Sequence, residues 1–382
     1  MRKVTRTKVS TGTLVPNFAR SDEELRLSIR EHWDPGRATP WRCFLADVAE
    51  RNVGDALEAL APFPRFKLNY SVKTNPRDEM IALMHRNGVL AECISPGECD
   101  QVREHGYEAN EITYNGPRPI RDRRVNVAFA DSVEGFAFYA SRPHAMNVHG
   151  VRIRPHTIPS RFGVKVNELP KIVDIARASA NVERLGVSFF SRPEDFGERQ
   201  WREIADEVLG YAVELEAESG KPVTIFNLGG GFLADAWGER FDGDYEHVSE
   251  LAPRRLSNLQ QIYVEPGQGL STPVEALFLR VIEVRQRDDG RETVVDGGQP
   301  NLPQLRWLPH RVFWEGDSWI KLQHGRDRIF GNICTEEDVI RHDVNLPAKI
   351  APGDVIAVAD AGSYDSSMSF GFGLGQPAPR DS

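Results

Sequence analysis

Several short stretches of this 382-residue chain place reactive residue types where strands should end. The first is Phe66-Lys67-Leu68-Asn69-Tyr70-Ser71-Val72-Lys73-Thr74-Asn75-Pro76, which reads as a buried strand over 66–72 followed at once by Lys73 and an Asn-Pro helix start. A lysine at the C-terminal end of a strand in an α/β chain faces the crevice where such folds place their chemistry. Asn227-Leu228-Gly229-Gly230-Gly231-Phe232 follows another strand and would bring bare backbone N–H groups against a phosphate. Glu265-Pro266-Gly267 puts a carboxylate at the end of a third. Asp296-Gly297-Gly298, Cys334-Thr335-Glu336-Glu337-Asp338 and Asp360-Ala361-Gly362-Ser363-Tyr364 come later. Any one of these alone reads as a surface amine, a turn or a core thiol.

The elements that must position them form two patterns. From Arg65 to Glu265 strands alternate with helices. The expected strands are 66–72, 89–94, 111–115, 126–130, 149–154, 184–190, 223–228 and 262–265. Ser95-Pro96-Gly97-Glu98 and Asp131-Ser132 read as helix starts, and 198–218 is the strongest helix by period. Eight such units over some two hundred residues fit an α/β fold, a (β/α)8 TIM-like barrel over 37–274. After 275 strands follow one another without helices (277–286, 291–296, 310–314, 328–334, 354–359), so a C-terminal all-β domain is expected over 275–382, joined by the N-terminal segment 1–36. Within that segment residues 1–20 suit a strand or extended arm, and Ser21-Asp22-Glu23-Glu24 caps a helix to about Trp33.

Composition bounds the function. A formal net charge of -9 with scattered basic residues argues against nucleic acid or an anionic membrane as partner. No run reaches membrane-spanning length, and the basic N-terminus lacks the apolar stretch of a secretory signal, so a cytoplasmic location is expected. Cys43, Cys93, Cys99 and Cys334 show neither metal spacing nor a compact disulfide framework, so no metal is expected.

Taken together the motifs call for a cofactor. Lys73 can form a Schiff base with an aldehyde, the glycines can hold that aldehyde's phosphate, and Glu265 can keep a ring nitrogen protonated. That is the constellation for pyridoxal 5'-phosphate. In order along the chain the set resembles fold-type III enzymes of this cofactor, the ornithine/diaminopimelate/arginine decarboxylase family on an alanine racemase-like barrel. The resemblance runs from Trp41 to about Met368. It rests on YSVKTN (70–75), SPGE (95–98), SRFGV (160–164), GGGF (229–232), EPG (265–267), Cys334 and DAGSY (360–364). It implies that Lys73 is the Schiff-base lysine and that Gly229, Gly230 and Gly231 contact the phosphate. Glu265 would meet the ring nitrogen, with Gly267 beside it, and Tyr364 would lie near the phosphate. Glu92 matches a pocket acid and Asp296 a position near the substrate's distal end, while Asp338 keeps the family's spacing from the cysteine. Cys334 would be the proton donor after carbon dioxide loss, contributed across a homodimer interface with shared sites.

Four positions depart from the family pattern. Phe190 stands where a histidine stacks on the ring, with Pro193 where a serine follows. Gln268 replaces a phosphate-side arginine, a charge-assisted contact of about 1.5–3 kcal/mol. Asn301-Leu302-Pro303-Gln304 lacks the arginine that holds a distal carboxylate, and Phe372-Gly373-Leu374-Gly375 replaces an Asn and an Arg-Pro run. Phe190 can still stack, and Arg154 or Arg192 are candidates to compensate, Arg154 also as a substrate contact. A carboxylate at 265, where related racemases carry arginine, favours decarboxylation over racemisation. The reading is a decarboxylase of an amino acid or its derivative, free or carrier-tethered, in a specialised pathway. The alternatives are a racemase and an inactive family member acting as a binding or regulatory partner.

Overall fold

Lys73 and Glu265 sit at the ends of neighbouring parallel strands, and the first of the chain's two units is built around that arrangement. The computed structural model describes residues 17–121, 124–143, 146–156, 158, 160–191, 201–308 and 310–372. Most of the expected N-terminal arm, Arg192, Pro193 and Gly373-Leu374-Gly375 lie outside the described residues. The chain groups into one unit that takes in 53–269 and a second made of 19–52 with 270–382.

Strand β1 (Trp41–Phe44) belongs to the second unit. The first holds β2 (Phe66–Ser71), β3 (Leu90–Cys93), β4 (Ile112–Tyr114), β5 (Val125–Ala130), β6 (Met146–Arg154), β7 (Val164–Lys165), β8 (Leu185–Ser188), β9 (Val223–Asn227) and β10 (Gln261–Val264). Parallel pairing runs β5-β4-β3-β2-β10-β9-β8-β6, and β5 pairs β6, so eight strands close into a barrel with β7 appended to β6. Central strands are buried on both faces, as in Val223–Asn227, because helices cover the outside and side chains fill the inside. Val127, Phe129, Val148, Ile225 and Tyr263 pack together there. Gly150 makes room: a Cβ on it would lie 2.5 Å from the Phe129 ring.

The helix starts follow local chemistry. Ser95 Oγ accepts from Glu98 N at 3.2 Å with Pro96 in the first turn of Pro96–Glu104, and Ser132 Oγ accepts from Gly135 N at 3.0 Å ahead of Val133–Ala140. The strongly periodic stretch is the helix Trp201–Ser219. Strand β2 is one residue shorter than expected. It stops at Ser71 and Lys73 lies in a 3-10 turn, Val72–Thr74, closed by Asn75 N on Val72 O and by Thr74 Oγ1 on Ser71 O.

The second unit carries the capped helix Asp22–His32, with Ser21 and Glu24 forming a reciprocal capping box, and a sheet of β11 (Glu275–Arg287), β12 (Gly290–Val295), β13 (Val312–Glu315), β14 (Trp319–Lys321), β15 (Asp327–Phe330), β16 (Val339–Val344) and β17 (Val355–Ala359). Its order is β14-β13-β17-β11-β12-β15-β16, with β1 pairing β11. Strands β14 and β16 escape the sequence pattern. The expected strand 328–334 ends at Phe330, because Asp338 gathers the following loop by accepting from Ile333 N (2.9 Å) and Gln299 N (2.6 Å). Among the described residues no helix is long and apolar enough to cross a membrane.

Arg42 on β1 is the polar centre of this unit. It is buried and donates to Glu275 Oε2 (3.2 Å), Ala361 O (2.7 Å) and Asn301 O (2.5 Å). Replacing Arg42 by Met removes the guanidinium that pairs with the buried Glu275 and donates to two carbonyls, so stability should fall by about 3–5 kcal/mol in urea unfolding.

Candidate active site

The residues that gather in the first unit all stand at the C-terminal ends of its barrel strands. Lys73 Nζ, partly exposed, donates to Glu92 Oε2 at 2.6 Å and to Ser71 Oγ at 3.2 Å. Ser71 Oγ in turn donates to Glu92 Oε2 at 2.5 Å. The strands align these groups, since Ser71 on β2 is in register with Glu92 on β3. Ser71 N also reaches Pro266 O at 3.3 Å, tying the lysine turn to the segment after β10. Gly267 lies so close to Thr74 that a Cβ there would collide with its side chain.

Glu265 is buried, and its carboxylate is held by amides from two other strand ends. Asn115 Nδ2, after β4, lies 3.0 and 3.2 Å from its two oxygens, and Asn227 Nδ2, at the end of β9, lies 2.6 Å from Oε1. Burial pushes the carboxyl up to about 7, and Glu92 pushes the same way, while Asn227, Lys73 and Arg152 pull it down. Burial also pushes Glu98 up to about 7.

The triple glycine runs against this acid. A Cβ on Gly230 would fall on the Glu265 carbonyl oxygen, and one on Gly229 would lie 2.5 Å from Phe189 O. Gly229 and Gly231 adopt positive φ, 67° and 94°. No other residue type fits all three places, and the result is a loop of bare backbone that a phosphate can approach. Phe190, after β8, lies beside it, its ring 3.2 Å from where a Gly231 Cβ would stand, and meets Phe162 edge-on at 6.3 Å between centroids. The Ser160-Arg161-Phe162-Gly163 stretch is thereby brought to the same end of the barrel. Ser188, in register with Arg152 and Asn227, buries a hydroxyl that has no hydrogen-bond partner among the described residues, so this layer has polar capacity to spare for a ligand.

Other expected site residues lie elsewhere or are engaged. Arg154 donates to Ser160 O and so pins its own loop. Gln268 opens the short helix Gln268–Ser271. In the second unit, Cys334 is exposed in the loop after β15. Asp338 is buried with its carboxylate on the backbone N–H groups named above, and burial raises its pKa. Asp296 accepts from Thr39 Oγ1 (2.6 Å) and Arg280 N (2.8 Å). Tyr364 is half-buried at φ 64°, on a loop held by the Arg311–Asp360 pair (2.6 Å) and the His310–Asp365 pair (2.7 Å). Ser71, Asn115, Asp131, Arg152 and Asn227 did not stand out as site residues in the sequence. The signals were there, in a polar residue closing an apolar strand (Asn115, Asn227) and a charged one within it (Arg152).

The raised Glu265 carboxyl has a sign. Between pH 4.5, its ordinary value, and about 7 the folded chain keeps a proton that the unfolded chain has lost, so stability falls as pH rises through this window. In the protein without cofactor, Glu265→Gln should lose less melting temperature between pH 5 and pH 7.5 than the parent does, as read by circular dichroism.

Comparison with known proteins agrees with this geometry. Residues 49–272 match the model of the pyridoxal-dependent decarboxylase family, pyridoxal binding domain. Diaminopimelate decarboxylase of Bacteroides thetaiotaomicron is 23% identical over 364 residues, 87% of this chain and 92% of that protein. L-glutamyl-[BtrI acyl-carrier protein] decarboxylase of Niallia circulans is 23% identical over 385 residues, 89% of this chain and 87% of that protein. The crystal structure of lysine decarboxylase from Selenomonas ruminantium superposes with a TM-score of 0.75 at 22% identity, covering 95% of this chain and 96% of that one. With the family model spanning more than half the chain and the barrel closed as described, this protein belongs to the pyridoxal-dependent decarboxylases, carboxy-lyases of amino acids whose cofactor is pyridoxal 5'-phosphate.

Proposed function

We propose that the chain decarboxylates an amino acid or amino-acid derivative of a specialised biosynthetic pathway, free or carrier-tethered, as a cytoplasmic homodimer. The observation that carries the reading is the joint placement of Lys73, paired to Glu92, and a buried Glu265 held by two amides beside the glycine loop. The donor set suits the cofactor: an amine for its aldehyde, bare backbone for its phosphate and an acid for its ring nitrogen. When bound, it supplies an electron-withdrawing ring that accepts the electron pair left by departing carbon dioxide.

The chain's own residues do the rest. Lys73 Nζ holds the cofactor, and Glu92 and Ser71 orient that nitrogen. Gly229, Gly230 and Gly231 offer N–H groups to the phosphate, with Gly267, Gln268 and Tyr364 as further contacts. Phe190 offers an aromatic face in place of histidine. Glu265 holds the ring-side charge. Cys334, exposed in a single chain, is the proton donor to a site completed by a second copy. Arg154, Asp296 and Asp338, expected on the substrate's side, contribute by shaping the loops they hydrogen-bond. The relatives include a diaminopimelate decarboxylase and a decarboxylase of a carrier-bound glutamyl group, which supports the class of reaction and leaves the choice of substrate to experiment.

Lys73→Ala should abolish both the near-visible absorption of bound cofactor and carbon dioxide release across an amino-acid panel; turnover without Lys73 contradicts the assignment. Glu265→Arg should suppress decarboxylation at least a hundredfold, about 3 kcal/mol of barrier, and an unchanged rate removes the role given to the acid. A parent protein without any lysine-dependent band would favour the binding-partner reading, since Phe190 and Gln268 alter two cofactor contacts.

A further inference from the structure

Arg152 is buried at the mouth end of β6 and belongs to none of the motifs that identify the family. Its Nη1 lies 3.1 Å from Asp131 Oδ1, and Asp131 also accepts from Gly163 N at 2.9 Å. Its Nη2 donates to Asn115, to the backbone carbonyl at 3.3 Å and to the side-chain Oδ1. A guanidinium has donors only, so the oxygen of the Asn115 amide must face Arg152. The NH2 end then has to face the other way, onto Glu265. On the far side of the acid, Gly229 N at 2.9 Å from Asn227 Oδ1 fixes the second amide in the same sense, its NH2 end on Glu265. Either amide turned through 180° would set a carbonyl oxygen against a carboxylate.

We propose that Arg152, acting through Asn115, is a positioning residue of the active site: it locks the Asn115 amide with its donor end on Glu265 and so aims that carboxylate at the cofactor's ring nitrogen. The inference rests on the reading that Glu265 meets that nitrogen. Asp131 and Gly163 hold the guanidinium in place, so the loop 160–163 is coupled to the acid through one arginine. The backbone N–H that fixes Asn227 comes from the glycine loop itself, so the acid is oriented from two sides by unrelated parts of the chain.

The test uses two ligands that differ only at the ring nitrogen, pyridoxal 5'-phosphate and its 1-deaza analogue, with binding to the apoprotein read by tryptophan fluorescence. The parent protein should prefer the natural cofactor. Arg152→Gln should reduce that preference by about tenfold or more, the scale of one hydrogen bond to a charged group, with the affinity for the deaza analogue nearly unchanged. Asn115→Ser, which leaves the Arg152–Asp131 pair intact, should do the same and serves if Arg152→Gln does not fold. Arg152→Lys, with its charge but no fork, should recover part of the preference. A preference unchanged in the variants overturns the inference and leaves the role of Glu265 standing. Equal weakening of both ligands also overturns it, because Arg152 would then hold the ligand or the fold. No preference in the parent overturns the reading of Glu265 and the inference with it.

Discussion

A carboxylate taken out of water has to be met by donors, and Glu265 is the place where this barrel meets that demand. The cost of an isolated buried anion exceeds what a domain of this size can carry, so the group must be hydrogen-bonded or protonated. Here two amides supply the bonds, and they come from the ends of β4 and β9. That requirement explains why the strand ends cannot slip. A shift of one residue in either strand would turn its asparagine to the other face and leave the acid bare.

The same acid constrains the glycine loop. Gly230 packs against the Glu265 carbonyl, and Glu265 N bonds Gly229 O at 2.9 Å, so the glycine loop and the acid are one rigid piece. Lys73 is joined to it through Ser71 N and Pro266 O. Amine, backbone cradle and acid are thus fixed relative to one another by main-chain contacts. Side-chain rotamers then need to settle only the last bond, which suits a site that must hold a planar ligand in one orientation.

In the second unit polar groups staple loops by a related logic. Asp338 gathers the loop that carries Cys334, and the Arg311–Asp360 and His310–Asp365 pairs hold the loop that carries Tyr364. Tyr364 sits at positive φ, which a non-glycine residue adopts only where its surroundings impose it. Cys334 and Tyr364 therefore ride on loops whose shape is set by side-chain pairs and backbone-to-carboxylate bonds, while the strands beneath carry the apolar core.

The sequence by itself determined the class of fold and the chemistry. Short apolar runs alternating with capped helices dictate parallel strands, and a lysine, a glycine triplet and an acid at the ends of three of those strands declare a phosphate-bearing aldehyde cofactor. Those signals are local, each written within a few residues. Strand ends were less legible: β2 stops at Ser71 because Thr74 and Asn75 close a turn, and β15 at Phe330 because Asp338 claims the next loop. Strands β14 and β16 are short or charge-rich and lack an alternating pattern. Only the tertiary structure decided how the acid is held. Asn115 and Arg152 are 150 and 113 residues from Glu265 along the chain, and an amide's orientation depends on which donor faces its oxygen, a fact of through-space geometry that no local pattern encodes.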